Sequence, residues 1–304
     1  MREQIEEFIT HLKTIKNTPE NTLLSYKRDL FRLSDYMEKI GITDVASVTQ
    51  DRLRAYAAGL SEENYAISSI IRQYTSIRVF FKFLVDNGNI TENPAENLKS
   101  PRAEKKEPRI LSALEIESLL SQEFTDDPLG KRDRAILELM YATGLRASEL
   151  VELKLSNIDL SLGCLRMGED RLIPYGNKAK EALNAYLLDA RSKLLAAGEK
   201  AIGGEINDEY VKGLQYVFFN YNGKPMSRQA LWKLVKKYAV RAEIDDDITL
   251  NDLRHSFGVH LIENGADIAS VQNMMGYTGS GTISRYLGKA NRSKDPYDWA
   301  RLRN

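Results

Sequence analysis

The chain has 304 residues, 42% hydrophobic and 28% charged, the composition of a soluble globular protein long enough for two domains with separate cores. No apolar run can span a bilayer, the single cysteine, Cys164, excludes an intrachain disulfide, and the three histidines (His11, His255, His260) stand at no metal-ligand spacing. Lysine plus arginine and aspartate plus glutamate each number 43, so the net charge is zero and a nucleic-acid role has to rest on local pattern.

The opening MREQIEEF is charged and lacks the apolar stretch of a secretory signal, and no Gly-rich phosphate loop is present. A reducing, cytoplasmic location is expected, with no metal and no cofactor. The first hundred residues read as helices. After Asn17-Thr18-Pro19-Glu20, Leu23, Tyr26, Leu30, Leu33 and Met37 recur at helical spacing on one face. Gly41 and Thr43-Asp44 interrupt the pattern, a second helix is predicted around Asp51–Leu60, and a third over about Ala66–Asp86 buries Ile70, Tyr74, Ile77, Phe80, Phe81 and Leu84. Gly88 stops it. The segment Asn97–Arg109 (NLKSPRAEKKEPR) is rich in proline and basic residues and almost without apolar ones. It reads as an interdomain linker, either a solvated tether or a basic strap along DNA phosphates.

The second domain opens at Leu111 with a capping box, Ser112 followed by Glu115. Arg132–Tyr141 predicts a strongly apolar helix ended by Ala142-Thr143-Gly144, and another helix runs from about Arg146 to Lys154. Ile158–Tyr175 places Gly163, Gly168 and Pro174 between the β-type runs Cys164–Met167 and Arg171–Ile173, the pattern of a short hairpin. From Lys178 onward helices dominate, so the whole is a mainly α protein with one small sheet.

Several ordered motifs resemble those of the tyrosine recombinase (phage integrase) family, most closely its bacterial Xer-like members. Ala142-Thr143-Gly144-Leu145-Arg146-Ala147-Ser148-Glu149-Leu150 resembles the first box of that family. Leu253-Arg254-His255-Ser256-Phe257-Gly258-Val259-His260-Leu261 resembles the second. Val271-Gln272-Asn273-Met274-Met275-Gly276-Tyr277 through Arg285-Tyr286 resembles the end of its active site. Asn21-Thr22 through Tyr26-Lys27-Arg28-Asp29-Leu30, and Phe218-Phe219-Asn220 with Gly223-Lys224-Pro225-Met226, match further family patterns, so the resemblance covers nearly the whole chain.

The resemblance implies an N-terminal helical core-binding (SAM-like) domain over 1–96, a linker over 97–109, and a mostly α catalytic domain with a small antiparallel β-sheet over 110–304. It implies that Tyr286, one of 15 tyrosines, attacks the DNA phosphorus to form a phosphotyrosyl intermediate. Arg146 and Arg254 fill the phosphate-clamping positions, a task suited to guanidinium because it forks onto two oxygens and stays charged. Either arginine taken alone reads equally well as half of a structural ion pair; in their motifs the two read as a clamp. Glu149 either orients Arg146 or is an ordinary surface charge.

The chain departs from the family pattern at three positions. Asn251 stands three residues before Arg254, where the family has a histidine, and Tyr277 follows Gly276 where a histidine or tryptophan is usual. The hairpin Leu165–Pro174 is short and lacks the family's lysine. Asn251 donates a hydrogen bond but exchanges no proton near neutral pH. Tyr277 can keep a hydrogen bond to phosphate. Arg166 or Arg171 supplies charge near the leaving group, and His255 and His260 read as structural. Each general acid–base contribution is worth roughly 10²–10⁴ in rate.

The partners implied are double-stranded DNA and other protomers, a homo- or hetero-tetramer joined through the C-terminal tail that includes Tyr297-Asp298-Trp299-Ala300-Arg301-Leu302; no membrane is expected. Three functions stay open: a slow or conditional site-specific recombinase, a DNA-binding relative without turnover, and a helical protein–protein scaffold whose only support is the zero net charge.

Overall fold

A computed structural model describes residues 1–63, 65–102, 108–201, 208–245 and 247–277. The chain divides into two compact units, residues 1–106 and 107–304, and the boundary falls inside the proline- and lysine-rich segment 97–109.

Among its described residues the first unit holds four helices, α1 (Arg2–Thr14), α2 (Glu20–Lys39), α3 (Gln50–Glu62) and α4 (Ile67–Asp86), with a 3₁₀ turn at Val45–Ser47. Helices α1, α2 and α4 pack on one another because each offers an apolar stripe of period 3.6. Phe8, Leu30, Leu33, Met37, Phe80, Phe81 and Leu84 are fully buried in the shared core. Each such side chain contributes about 1.5–3 kcal/mol relative to exposure. Helix α1 is an element the sequence reading passed over, although Ile5, Phe8 and Leu12 stand on one buried face. The linker reading also needs one correction. Leu98 is buried in the core of the first unit, so the apparent tether begins as packed structure.

Two polar pairs sit inside this core. Asp29 on α2 is fully buried and bonded by the guanidinium of Arg72 on α4, and the Tyr56 hydroxyl donates to Gln73 Oε1 at 2.5 Å.

In the second unit the Ser112–Glu115 capping box starts α5 (Ala113–Leu120), with Ser112 N donating to Glu115 Oε2 at 2.7 Å. Arg109, just before it, is bound by Glu115, Asp245 and Asp247. Helix α6 (Pro128–Thr143) begins with Asp127 as N-cap and Pro128 in the first turn. From Ala135 to Tyr141 it is buried all round and accordingly central, packed against α8 and α12. Helix α7 (Ala147–Val151) is shorter than its spacing predicts and gives way to a 3₁₀ turn at Leu155–Asn157.

The three-stranded antiparallel sheet runs β1 (Ile158–Asp159), β2 (Cys164–Met167) and β3 (Arg171–Pro174) in that order. Its register pairs Leu165 with Ile173, both buried, and Met167 with Arg171, which closes the hairpin turn. Helix α8 (Asn177–Ala185) continues through a π turn, Tyr186–Ala190, into α9 (Arg191–Ala201). Then come α10 (Asp208–Gly213), α11 (Arg228–Arg241), α12 (Leu250–Glu263) and α13 (Ile268–Met275). Phe218 and Phe219 are buried, and the turn that follows them is closed by Asn220 N donating to Lys224 O at 2.8 Å.

Candidate active site

Two helix ends and one strand start build the site. Helix α6 ends at Gly144, whose left-handed backbone (φ 56°) turns the chain so that Arg146 becomes the N-cap of α7. A side chain at position 144 would meet Phe257 of α12, since an added Cβ would lie 2.4 Å from its Cδ1. Glycine is therefore needed there for conformation and for space alike. Helix α12 is fixed by a Thr249–Asp252 capping box, Thr249 N donating to Asp252 Oδ2 at 2.7 Å, and it carries Arg254 into the interior. Helix α13 ends at Gly276, again left-handed (φ 62°).

The last carbonyls of α13 are the acceptors of the site. Arg171 Nε donates to Met274 O at 2.8 Å, Arg254 Nη2 donates to Met275 O, and Arg146 Nη2 donates to Gly276 O at 2.5 Å. Three consecutive main-chain oxygens each seat a different arginine. The end of a helix suits this, because its final carbonyls have no partner within the helix and carry the negative end of its dipole. Arg254 Nη1 also donates to Gly144 O, so the C-terminal ends of α6 and α13 grip the same guanidinium.

Glu149 closes the cluster from the other side. Its Oε2 accepts from Arg146 N at 2.7 Å, its Oε1 accepts from Arg146 Nη1 at 2.9 Å and from Arg171 Nη1 at 2.5 Å, and Arg254 Nη1 lies 3.8 Å from Oε2. Burial alone would raise this carboxyl. Hydrogen bonds from Arg171 and from the Arg146 backbone, with both guanidinium charges, hold it below the usual carboxylate range. Glu149 is thus an ionised, partly buried hub, and its reading as an ordinary surface charge is corrected. Three guanidiniums against one carboxylate leave the cluster with an excess of two positive charges.

The arginines differ in access. The Arg254 side chain is 4% exposed and that of Arg146 42%, so Arg146 is open to an incoming anion while Arg254 is set deep. Burial lowers the Arg254 guanidinium, with Tyr277 opposing that shift, yet the group remains charged at physiological pH. The Tyr277 ring lies beneath both, 4.8 Å from the Arg254 guanidinium and 5.9 Å from that of Arg146, and its hydroxyl accepts from Arg254 Nε at 3.4 Å. An anion held by forked donors over an aromatic face is the binding chemistry of this arrangement.

Arg146, Arg254, Tyr277, Glu149 and Arg171 therefore come together. The other candidates are placed differently. Asn251 is exposed on the first turn of α12. His255 is half-buried beside Arg254; burial lowers its imidazole, Asp252 opposes the shift and Arg254 adds to it. His260 is buried, its Nδ1 2.9 Å from the Tyr141 hydroxyl. Arg166 pairs with Asp159 at 3.1 Å on the outer face of the hairpin, so it takes no part in the cluster. Tyr286 and the C-terminal tail lie outside the described residues. Sequence reasoning missed the carbonyl acceptors altogether, and the Thr249-x-x-Asp252 spacing was the available signal for the start of α12.

The sequence profile of the phage integrase family matches residues 109–292, and that of the phage integrase N-terminal SAM-like domain matches residues 5–88. This chain is a member of the phage integrase family. It is 36% identical over 299 residues to the tyrosine recombinase XerD of Halalkalibacterium halodurans, covering 96% of this chain and 95% of that protein. It is 34% identical over 303 residues to the tyrosine recombinase XerD of Listeria monocytogenes, with 98% of both chains covered. Among solved structures, the XerH site-specific recombinase bound to palindromic difH substrate superposes with a TM-score of 0.70 at 18% identity, over 96% of this chain and 82% of that one. That likeness supports the family fold, and the mainly α architecture with a small antiparallel sheet agrees with it. Among the described residues, no helix is long and apolar enough to cross a membrane, and no group of three acidic, histidine or cysteine side chains is placed to hold a metal ion.

Proposed function

We propose that this chain is a site-specific DNA recombinase of the tyrosine type, cutting and rejoining double-stranded DNA through a 3′-phosphotyrosyl intermediate, with slow or conditional turnover. Residues 1–96 serve as the core-binding domain, 97–109 as the linker and 110–304 as the catalytic domain. The observation that carries the proposal is the pair Arg146 and Arg254, one open and one buried, held over Tyr277 with a surplus of positive charge.

In the proposed reaction the Tyr286 oxygen attacks the scissile phosphorus, forming a P–O bond as the bond to the 5′ oxygen breaks. The electron pair leaves on that oxygen, which takes a proton and becomes a free 5′-hydroxyl. The tyrosyl proton passes to solvent or a nearby base. The phosphodiester energy is kept in the phosphotyrosyl link, so a 5′-hydroxyl from a second duplex reverses the step without any external energy source. Arg146 and Arg254 neutralise the two non-bridging oxygens as charge builds in the transition state. Tyr277 donates a hydrogen bond to one of them.

Among the described residues, the groups touching the two guanidiniums are Glu149, Tyr277 and main-chain carbonyls, and Glu149 is ionised at neutral pH. With Asn251 and Tyr277 at positions where the family has histidine or tryptophan, and a hairpin without lysine, proton transfer is thinned and turnover slow or conditional; a DNA-binding relative without turnover is the second reading. The active assembly is a tetramer on two duplexes, joined through the tail beyond Tyr286, in the cytoplasm.

A nicked duplex, selected from a random library by the wild-type protein, tests the proposal. The nick lets the cleaved strand fragment diffuse away, so a covalent adduct accumulates. Wild type should accumulate the adduct and Tyr286→Phe should bind equally well without forming it. Tight binding by wild type with no adduct would establish the second reading.

A further inference from the structure

Arg171 stands outside the pair assigned to the phosphate, yet it is tied into the site through its whole guanidinium. It is the first residue of β3, and its pairing with Met167 closes the hairpin turn. Its side chain is only 13% exposed, and all three guanidinium nitrogens are engaged. Nε donates to Met274 O at 2.8 Å, Nη1 to Glu149 Oε1 at 2.5 Å, and Nη2 reaches Glu149 Oε2 at 3.4 Å. One planar group thus links the sheet, α7 and the end of α13.

Two routes lead from it to the clamp. Glu149 Oε1 is shared between Arg171 Nη1 and Arg146 Nη1, so the bond from Arg171 sets where that oxygen lies and hence where Arg146 points. Met274 O, which Arg171 holds, is followed in the chain by the two carbonyls that seat Arg254 and Arg146. An added Cβ at Gly276 would come within 2.8 Å of Arg171 Nη1 and 3.2 Å of Arg146 Nη1, so the turn and both arginines are packed against one another.

We infer that Arg171 is a positioning residue for strand cleavage, acting through Glu149 and the end of α13 to hold Arg146 and Arg254 in register without touching the phosphate. The inference rests on the recombinase reading above. Lysine cannot replace it, because one ammonium cannot satisfy Glu149 and Met274 O with the planar fork that arginine provides.

The test uses Arg171→Lys and Arg171→Gln on the selected nicked duplex, and a version of that duplex with sulfur in place of the bridging 5′ oxygen. A 5′ thiolate departs without being protonated, so this substrate erases a defect in leaving-group protonation but not one in phosphate positioning. Both variants should trap the strand at least about ten-fold more slowly than wild type, with affinity within about three-fold and a melting temperature lowered no further than Glu149→Gln lowers it. The slowing should persist on the sulfur substrate, and Glu149→Gln should add little to Arg171→Gln because both act through one link. Wild-type rates in both variants overturn the inference. So does full rescue by sulfur, which would make Arg171 a leaving-group donor, and so does a parallel collapse of affinity and melting temperature, which would make it only a structural brace. A wild-type chain that binds DNA but traps no strand overturns the recombinase reading itself.

Discussion

Each unit of this protein contains a buried carboxylate facing arginine, and the two carboxylates behave in opposite ways. Asp29 in the first unit is raised above its ordinary value, because burial outweighs the hydrogen-bonded guanidinium of Arg72 and the charges of Arg28 and Arg32, and its Oδ1 has no hydrogen-bond partner. Glu149 in the second unit is partly buried too, yet it is lowered, because both oxygens accept hydrogen bonds and several positive charges converge on it. Burial is common to both; donor supply decides the sign. One pair ties two helices together. The other leaves guanidinium in excess over carboxylate, which is what a site for a phosphate needs and what a neutral pair cannot provide.

The contrast can be broken in three ways, taken from the largest effect. Arg254→Gln removes the buried half of the surplus charge, and strand trapping on a nicked duplex should fall by about 10²–10³. A loss smaller than ten-fold would mean that the surplus charge does no chemistry.

Glu149→Gln removes the negative charge that faces three arginines and one of its two acceptor oxygens, and should destabilise the second unit by about 3 kcal/mol, whereas Asp29→Asn removes a buried charge that is itself costly and should change the stability of the first unit by less than about 1 kcal/mol. Denaturant titration followed at Trp232 on α11 resolves the second unit, since residues 1–106 contain no tryptophan. Equal costs in the two units would remove the distinction.

The smallest effect is on acid stability. The folded pKa of Glu149 lies below its unfolded value of 4.5, so its stabilisation is complete above pH 4.5 and is lost as the pH falls through the folded value. Asp29 has the opposite sign: its folded pKa exceeds 3.8, so the cost of its buried charge disappears on acidification. Tryptophan fluorescence below pH 4.5 should therefore report progressive weakening of the second unit, and Glu149→Gln should flatten that dependence. An unchanged slope in the variant would refute the assignment.

Much of this was legible in the sequence, for a physical reason. Helical spacing at Leu23, Leu30, Leu33 and Met37, and at Ile70, Ile77, Phe80 and Leu84, records which face is buried, and those helices formed where the spacing put them. The hairpin runs became β2 and β3 because Gly163 and Gly168 punctuate them. Helix α1 escaped because its apolar residues are diluted by charge. In the site, motif order pointed to Arg146 and Arg254 but not to what holds them. Every residue has a carbonyl, so nothing in the letters Met274-Met275-Gly276 marks those three oxygens as acceptors. Asn251, chosen for its distance in sequence from Arg254, is exposed, because three residues along a helix turn a side chain toward a neighbouring face without fixing what it meets.

That the three arginines rest on consecutive main-chain oxygens has a consequence for how the site can vary. Their seats belong to the backbone path of α13, so exchanging the side chain at Met274 leaves the acceptor in place. A single inserted or deleted residue in α13 is another matter. Each residue advances a helix by about 100°, so the change would swing all three oxygens away at once and unseat the cluster as a unit. The site tolerates a different side chain at Met274, but neither one at Gly276 nor a change of length.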